Sequence, residues 1–317
     1  MAGRTARKEK IPDKQAKARV RKGTRGARQE IACEDQPGIA PFENRIICGD
    51  AEAVLTGFPD RSVDMVITSP PYNFGHSYAQ DPGGDTREWN EYFTTLRRIF
   101  AGCSRVLKPG GRLAVNVQPL FSDYVPTHHL VSAILQELGL LWKAEILWEK
   151  NNYNAKYTAW GSWRSPSMPY LKYTWEFIEV FCKDSHRKVG RKEDIDITGT
   201  EFKEWVMSRW TFPPETRMKD FGHPAMFPEE LPRRLMKLFS YRGDIILDPF
   251  NGAGTTTLAA WRLQRRFIGI DASIQYCRTA LDRIVSDPGY PGRGAAVSPE
   301  VLYHVRGQAS ERDMSQA

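Results

Sequence analysis

Four short apolar runs, each ending at a small polar or acidic residue, constrain this 317-residue chain more than any other feature. Arg45-Ile46-Ile47-Cys48 leads into Gly49-Asp50, and Asp64-Met65-Val66-Ile67-Thr68 leads into Ser69. Asp244-Ile245-Ile246-Leu247 leads into Asp248, and Arg266-Phe267-Ile268-Gly269-Ile270 into Asp271. A strand with one wet face alternates apolar and polar residues; a strand covered on both faces stays apolar throughout. The runs therefore predict parallel strands at the centre of a covered sheet. Trp89, Tyr92, Phe93, Leu96, Ile99, Phe100, Cys103 and Val106 recur at helical spacing, and Asp85 with Glu88 reads as a capping box at the start of that helix. Lys108-Pro109-Gly110-Gly111 makes a turn before a strand over 112–117, and further helices are expected after Thr255 and after Ser273. Strands alternating with helices give an α/β fold with a doubly wound sheet. Ligands of such sheets sit beyond the carboxyl ends of the strands. Asp50, Ser69, Asp248 and Asp271 are thus expected to converge, although 221 positions separate the first from the last.

Two of these strand ends carry chemistry. Asp248-Pro249-Phe250-Asn251-Gly252-Ala253-Gly254-Thr255 follows a strand and opens a helix. Its glycines let backbone approach a ligand closely. It lacks the lysine of a phosphate-binding loop and the third glycine of a dinucleotide turn, so phosphate is not the expected guest. Asp271, 23 residues later at the next strand end, is placed where a ribose diol can donate to a carboxylate. The reading is a nucleoside cofactor with an amino-acid end; the plainer reading is a strand–turn–helix with a capping Asn or Thr. The second segment is Ser69-Pro70-Pro71-Tyr72. Paired prolines fix φ and remove two donors, leaving carbonyls to accept from a ligand. Ser69 adds a further acceptor and Tyr72 a stacking face, which together suit a planar ring bearing an exocyclic amine. Taken alone, these four residues read more simply as a rigid turn with a surface tyrosine.

The two segments together, Thr68-Ser-Pro-Pro-Tyr72 and Asp248-Pro-Phe-Asn-Gly-Ala-Gly-Thr255, resemble the amino-group DNA methyltransferases of restriction–modification systems. The tetrad precedes the glycine turn, as in the circularly permuted β class. Gly49-Asp50, Leu107–Gly111, Trp148-Glu-Lys150, Trp175–Phe181 and His223-Pro-Ala-Met-Phe-Pro228 fit further segments of that class, so the resemblance covers about residues 40–286. It implies a seven-stranded, mostly parallel sheet of the S-adenosylmethionine-dependent methyltransferase fold, circularly permuted. It implies direct methyl transfer from S-adenosyl-L-methionine to an exocyclic nitrogen of a base flipped out of double-stranded DNA. Ser69, Pro70, Pro71 and Tyr72 would hold the base. Asp50, Phe227, Asp248, Phe250, Gly252, Gly254, Thr255 and Asp271 would hold the cofactor. None of the five cysteines follows a proline, as the nucleophile of a ring-carbon methylase would. Serine at the first tetrad position is usual in the cytosine-N4 members, whereas Asp or Asn is usual in the adenine-N6 members. N4-cytosine is therefore the expected target, with N6-adenine, an RNA amine, or a non-catalytic nucleic-acid-binding protein as alternatives.

Charge divides the chain. Residues 1–30 hold eleven Lys/Arg against three acids, a balance of +8, so the whole-chain +7 leaves the remainder near neutral. Residues 1–31 are expected to be a disordered basic tail, read either as an arm for a polyanion or as a solvated terminus. Residues 32–286 form the expected catalytic domain, and 287–317 a flexible, Gly/Pro/Ser-rich tail. Residues 184–222, with Arg187, Lys188, Arg191, Lys192, Lys203, Arg209, Arg217 and Lys219, read as a target-recognition insertion. The aromatic loop 151–172 is a candidate cover for the flipped base. His128-His129 reads as a helix-surface pair. No metal-ligand spacing, zinc motif or membrane span is present, and a cytoplasmic setting follows, with a cognate restriction endonuclease as a further partner.

Overall fold

The computed structural model describes residues 38–73, 88–118, 124–151, 162, 164–169, 171, 173–289, 300–305 and 308–309. The basic tail, Asp85 and most of the aromatic loop lie outside these residues. The elements run β1 (Arg45–Cys48), α1 (Ala51–Thr56), β2 (Val63–Thr68), α2 (Trp89–Val106), β3 (Leu107–Val117), α3 (Thr127–Glu137), β4 (Leu141–Glu149), β5 (Trp175–Cys182) and α4 (Gly199–Trp205). They continue with β6 (Arg209–Thr211), α5 (Glu230–Phe239), β7 (Ile245–Asp248), α6 (Thr255–Arg262), β8 (Arg266–Asp271), α7 (Ile274–Val285), β9 (Glu300–Val305) and β10 (Gln308–Ala309).

The four apolar runs become β1, β8, β7 and β2, hydrogen-bonded side by side and all parallel. Their register aligns the strand ends: Cys48 pairs with Asp271, and Asp248 with Gly269. The alternation of side chains across a strand then divides each run between two cores. Ile47, Val66, Leu247 and Ile268 pack with α1, α2 and α3 on one face, whereas Ile46, Met65, Ile246 and Phe267 pack with α5, α6 and α7 on the other. Helices on both faces explain why the runs contain no polar alternation.

Several expectations are corrected. Among the described residues the sheet has ten strands rather than seven, in the order β10-β9-β1-β8-β7-β2-β3-β5-β4-β6. Strands β9 and β10 extend one edge and the short β6 extends the other; β5 and β10 run against their neighbours. Strand β9 lies in the stretch expected to be a flexible tail. It pairs parallel with the otherwise open edge of β1, and Leu302 packs against the core. An unpaired edge is a strong template for such a segment. Helix α2 begins at Trp89 with Glu88 as its N-cap and no side-chain cap bond, so Glu88 does not occupy the third helical position that a capping box requires. His128 is buried and stacks on Phe177 at 4.3 Å, and burial lowers its pKa to about 4; only His129 lies on the surface.

Residues 184–198 begin the segment read as a target-recognition insertion. They are tied to the amino ends of the strands, opposite the expected site. Lys188 bridges Asp64 (3.1 Å) and Asp244 (3.2 Å), which precede or open β2 and β7. Asp196 pairs with the buried Arg265 just before β8. Lys188 is thus a largely buried cation held between two carboxylates. The chain returns toward the carboxyl ends only after α4.

Candidate active site

The strand ends converge as expected. A cavity of about 650 Å³ lies against the carboxyl ends of β1, β2, β7 and β8. Of the twelve residues expected at the site, eleven line it: Asp50, Ser69, Pro70, Pro71, Tyr72, Phe227, Asp248, Phe250, Gly252, Thr255 and Asp271. Gly254 does not. It caps α6 at φ +81°, and a Cβ there would fall 2.6 Å from the Ala280 Cβ on α7. Its missing side chain lets α6 pack closely on α7.

One carboxylate joins the two motifs. Asp248 is 1% exposed; its Oδ1 accepts from Thr68 Oγ1 at 2.7 Å and from the Phe250 N–H at 3.0 Å, and its Oδ2 accepts from Thr256 Oγ1 at 2.6 Å. Burial raises its pKa to about 6 despite these donors. Thr68 immediately precedes the tetrad, so this bond fixes the tetrad's strand to the glycine turn. Asp248 therefore forms the cavity wall, with both oxygens committed to protein donors.

On the β8 side, Asp271 accepts the Gly252 N–H and the Ser273 N–H, each at 2.8 Å. Burial raises its pKa and the two N–H groups oppose the shift. Asp50 caps α1 by accepting the Ala53 N–H at 3.0 Å. His223 also lines the cavity and was not among the expected site residues. Its Nδ1 accepts the Ala225 N–H, its ring lies 4.5 Å from that of Tyr276, and burial lowers its pKa to about 4. A Cβ on Gly252, which has φ +49°, would reach 2.7 Å from His223 Nε2, so the glycine and the neutral imidazole fit against each other. The signal in sequence was the His-Pro-Ala segment itself.

On the β2 side, Tyr92 of α2 donates to the Pro71 carbonyl at 2.7 Å, and Asn73 takes a left-handed φ of 58° directly after the tetrad. Asn tolerates that conformation better than most residues. Behind the tetrad, Ser69 Oγ donates to the Tyr72 hydroxyl (3.0 Å) and Tyr72 donates to Glu176 Oε2 (3.3 Å). Asn116 Nδ2 donates to Tyr72 (3.2 Å) and to Glu176, and Lys150 forms an ion pair with the other Glu176 oxygen. This network spans β3, β4's end and β5, and sequence reasoning did not identify it. Pro214, Glu215 and Met218 line the cavity from the end of the 184–222 segment. Among the described residues no group of side chains is placed to hold a metal ion, and no helix is long and apolar enough to cross a membrane. The four described cysteines are free thiols.

Comparison with known proteins identifies the family. A family profile for N6/N4 methyltransferases, described as DNA methylase, matches residues 63–282. The chain belongs to the DNA methylase family. It is 30% identical to the type II methyltransferase M.MjaI of Methanocaldococcus jannaschii, over 73% of this chain and 88% of that one. It is 28% identical to the type II methyltransferase M.HpaI of Haemophilus parainfluenzae, over 78% and 76%. TTHA0409 of Thermus thermophilus, solved with S-adenosyl-L-methionine, matches with TM-score 0.65 and 29% identity, covering 82% of this chain and 98% of that one. The PvuII cytosine-N4 methyltransferase shares the fold at TM-score 0.59 and 20% identity, covering 77% and 86%. The fold is that of the S-adenosylmethionine-dependent methyltransferases, and this family member is a DNA methyltransferase that uses S-adenosyl-L-methionine. The residues present suit that cofactor. A glycine cradle that a Cβ would fill, an acid at the next strand end and aromatic Phe227 and Phe250 share one cavity, with no phosphate-binding lysine at the turn.

Proposed function

We propose that the chain methylates the exocyclic N4 amine of a cytosine flipped out of a specific site in double-stranded DNA. The observation that carries this reading is the Thr68–Asp248 bond, which puts the amine-holding tetrad and the glycine turn in one cavity. The bound cofactor supplies an electrophilic sulfonium methyl. Asp271, Asp50, Phe227, Phe250, Gly252 and Thr255 hold it, while Asp248 keeps its turn in shape and Gly254 seats the helix behind it.

Ser69 Oγ and the Pro70 carbonyl accept the two amine protons, since the Pro71 carbonyl is occupied by Tyr92. Tyr72 stacks on the base. These acceptors align the nitrogen lone pair with the methyl, so catalysis comes from orientation and fixed dipoles. Once the methyl's bond to sulfur breaks, with that electron pair left on the cofactor, the methylated amine gives one proton to water and the neutral N4-methyl product remains. Ser69 in the first tetrad position supports cytosine over adenine. Pro214 and Met218, which line the cavity, support a DNA-facing role for the later part of 184–222 rather than for residues 184–198, which are tied to the amino ends of the strands. A cognate endonuclease, the cytoplasmic setting and contact of the basic tail with DNA complete the proposal.

Tritiated S-adenosylmethionine with duplex DNA, followed by hydrolysis to nucleosides, tests it. Label in N4-methylcytosine is expected. Label in N6-methyladenine moves the target to adenine, and label in structured RNA alone overturns DNA as substrate.

A further inference from the structure

We propose that Glu176 is a positioning residue that makes Ser69 an acceptor-only partner for the target amine. The inference rests on the tetrad's role proposed above. A serine hydroxyl can both donate and accept. A donor facing an amine's N–H is useless or repulsive, so the hydroxyl proton must be directed elsewhere. The structure shows where it goes. Glu176 is 5% exposed and paired with the Lys150 ammonium, and as a carboxylate it only accepts. The single Tyr72 hydroxyl proton is therefore drawn to Glu176 Oε2. With that proton spent, Tyr72 meets Ser69 as an acceptor, and the Ser69 proton is spent on Tyr72. Asn116 donates to both Tyr72 and Glu176 and so holds the chain in the same sense. The Ser69 lone pairs are left to the cavity.

Reversal of the chain has a defined consequence. In Glu176→Gln, an amide N–H turned toward Tyr72 would donate to it; the Tyr72 proton would then turn to Ser69, and the Ser69 proton to the amine. Hydrogen bonds in such a chain reinforce one another in a buried setting, which makes its direction a cooperative property.

The test is a double-mutant cycle of Glu176→Gln and Tyr72→Phe, read as single-turnover methyl transfer at saturating cofactor, with cofactor Kd and thermal midpoint measured in parallel. Glu176→Gln is expected to lower the transfer rate at least about tenfold while leaving cofactor Kd within about twofold. In the Tyr72→Phe background, where no hydroxyl can relay the change, the same substitution is expected to cost nothing further. Multiplying losses, or a wild-type rate in Glu176→Gln, would overturn the proposal. If Glu176→Gln is poorly folded because Lys150 is left unpaired, Glu176→Gln with Lys150→Met removes both charges and is read against the same two outcomes. Wild-type enzyme that labels no DNA would instead defeat the functional reading, so the two failures are distinguishable.

Discussion

The two halves of the cavity are built from different material. Toward β7 and β8 the groups are held by backbone: Asp271 by two N–H donors, Asp50 by one, and the glycine turn by its own positive φ values. Toward β2, β3 and β5 they are held by side chains, Ser69, Tyr72, Asn116, Glu176 and Lys150, with Tyr92 behind. Backbone geometry follows from the fold and changes little on substitution elsewhere. Side-chain geometry can be altered one residue at a time. The half assigned to an invariant cofactor is thus made of fold, and the half assigned to a chosen base is made of replaceable groups.

Asp248 belongs to both halves, and its removal is expected to have the largest effect. Asp248→Ala strands two hydroxyls and an N–H in a buried site; at about 1–3 kcal/mol for each unsatisfied group, the loss is about 3 kcal/mol or more. Urea unfolding should show it, together with loss of both cofactor binding and transfer. Survival of cofactor binding in a folded variant would mean that the halves are independent. The two glycines separate next. Gly254→Ala combines φ +81° with a 2.6 Å contact to Ala280, and is expected to cost about 2–4 kcal/mol of stability with cofactor affinity unchanged in the folded fraction. Gly252→Ala presses on His223 instead, and is expected to cost about 1 kcal/mol of stability and roughly tenfold in cofactor affinity by calorimetry. Equal losses of affinity would erase the distinction drawn between these glycines.

The sequence made the backbone half far more legible than the side-chain half. Apolar runs ending in carboxylates at fixed places predict their own convergence, because parallel strands share one rim. Glu176 could not be found this way. In Trp-Glu-Phe-Ile-Glu-Val-Phe both glutamates interrupt an apolar strand, and the sequence alone does not tell which side each one faces. In the sheet, Glu176 shares its face with Ile178 and Val180 and reaches the cavity, while Glu179 points with Phe177 and Phe181 toward α3. The pairing of Lys188 was hidden for a related reason: its partners Asp64 and Asp244 lie 124 and 56 positions away, and only the fold makes it visible. His128 was misassigned because its burial depends on Phe177 of a distant strand.

A smaller effect is expected at Tyr92. Tyr92→Phe keeps the ring against Trp89 and Phe93 but removes the hydrogen bond to Pro71. One such bond is worth about 0.5–1.5 kcal/mol, and transfer should slow several-fold with cofactor Kd unchanged. A change in Kd of the same size would show that the tetrad and the cofactor cradle move together.

Glu179 supplies the case in which neither half should respond. It faces Glu145 across β4 and β5, and burial, with that second carboxylate opposing ionisation, raises its pKa to about 7. The ordinary value in the unfolded chain is 4.5. Between these values the folded state binds more protons than the unfolded state, so stability falls as pH rises through the window. Glu179→Gln cannot ionise and should remove that part of the decline between pH 4.5 and 7 in urea midpoints, leaving opposed contributions: Asp248, raised to about 6, has the same sign, whereas His128 and His223, lowered to about 4, have the opposite one. Transfer rate and cofactor Kd should stay at wild-type values, because Glu179 lies on the face of β5 opposite Glu176. An altered rate would show that the strand, rather than the single side chain at 176, transmits to the tetrad.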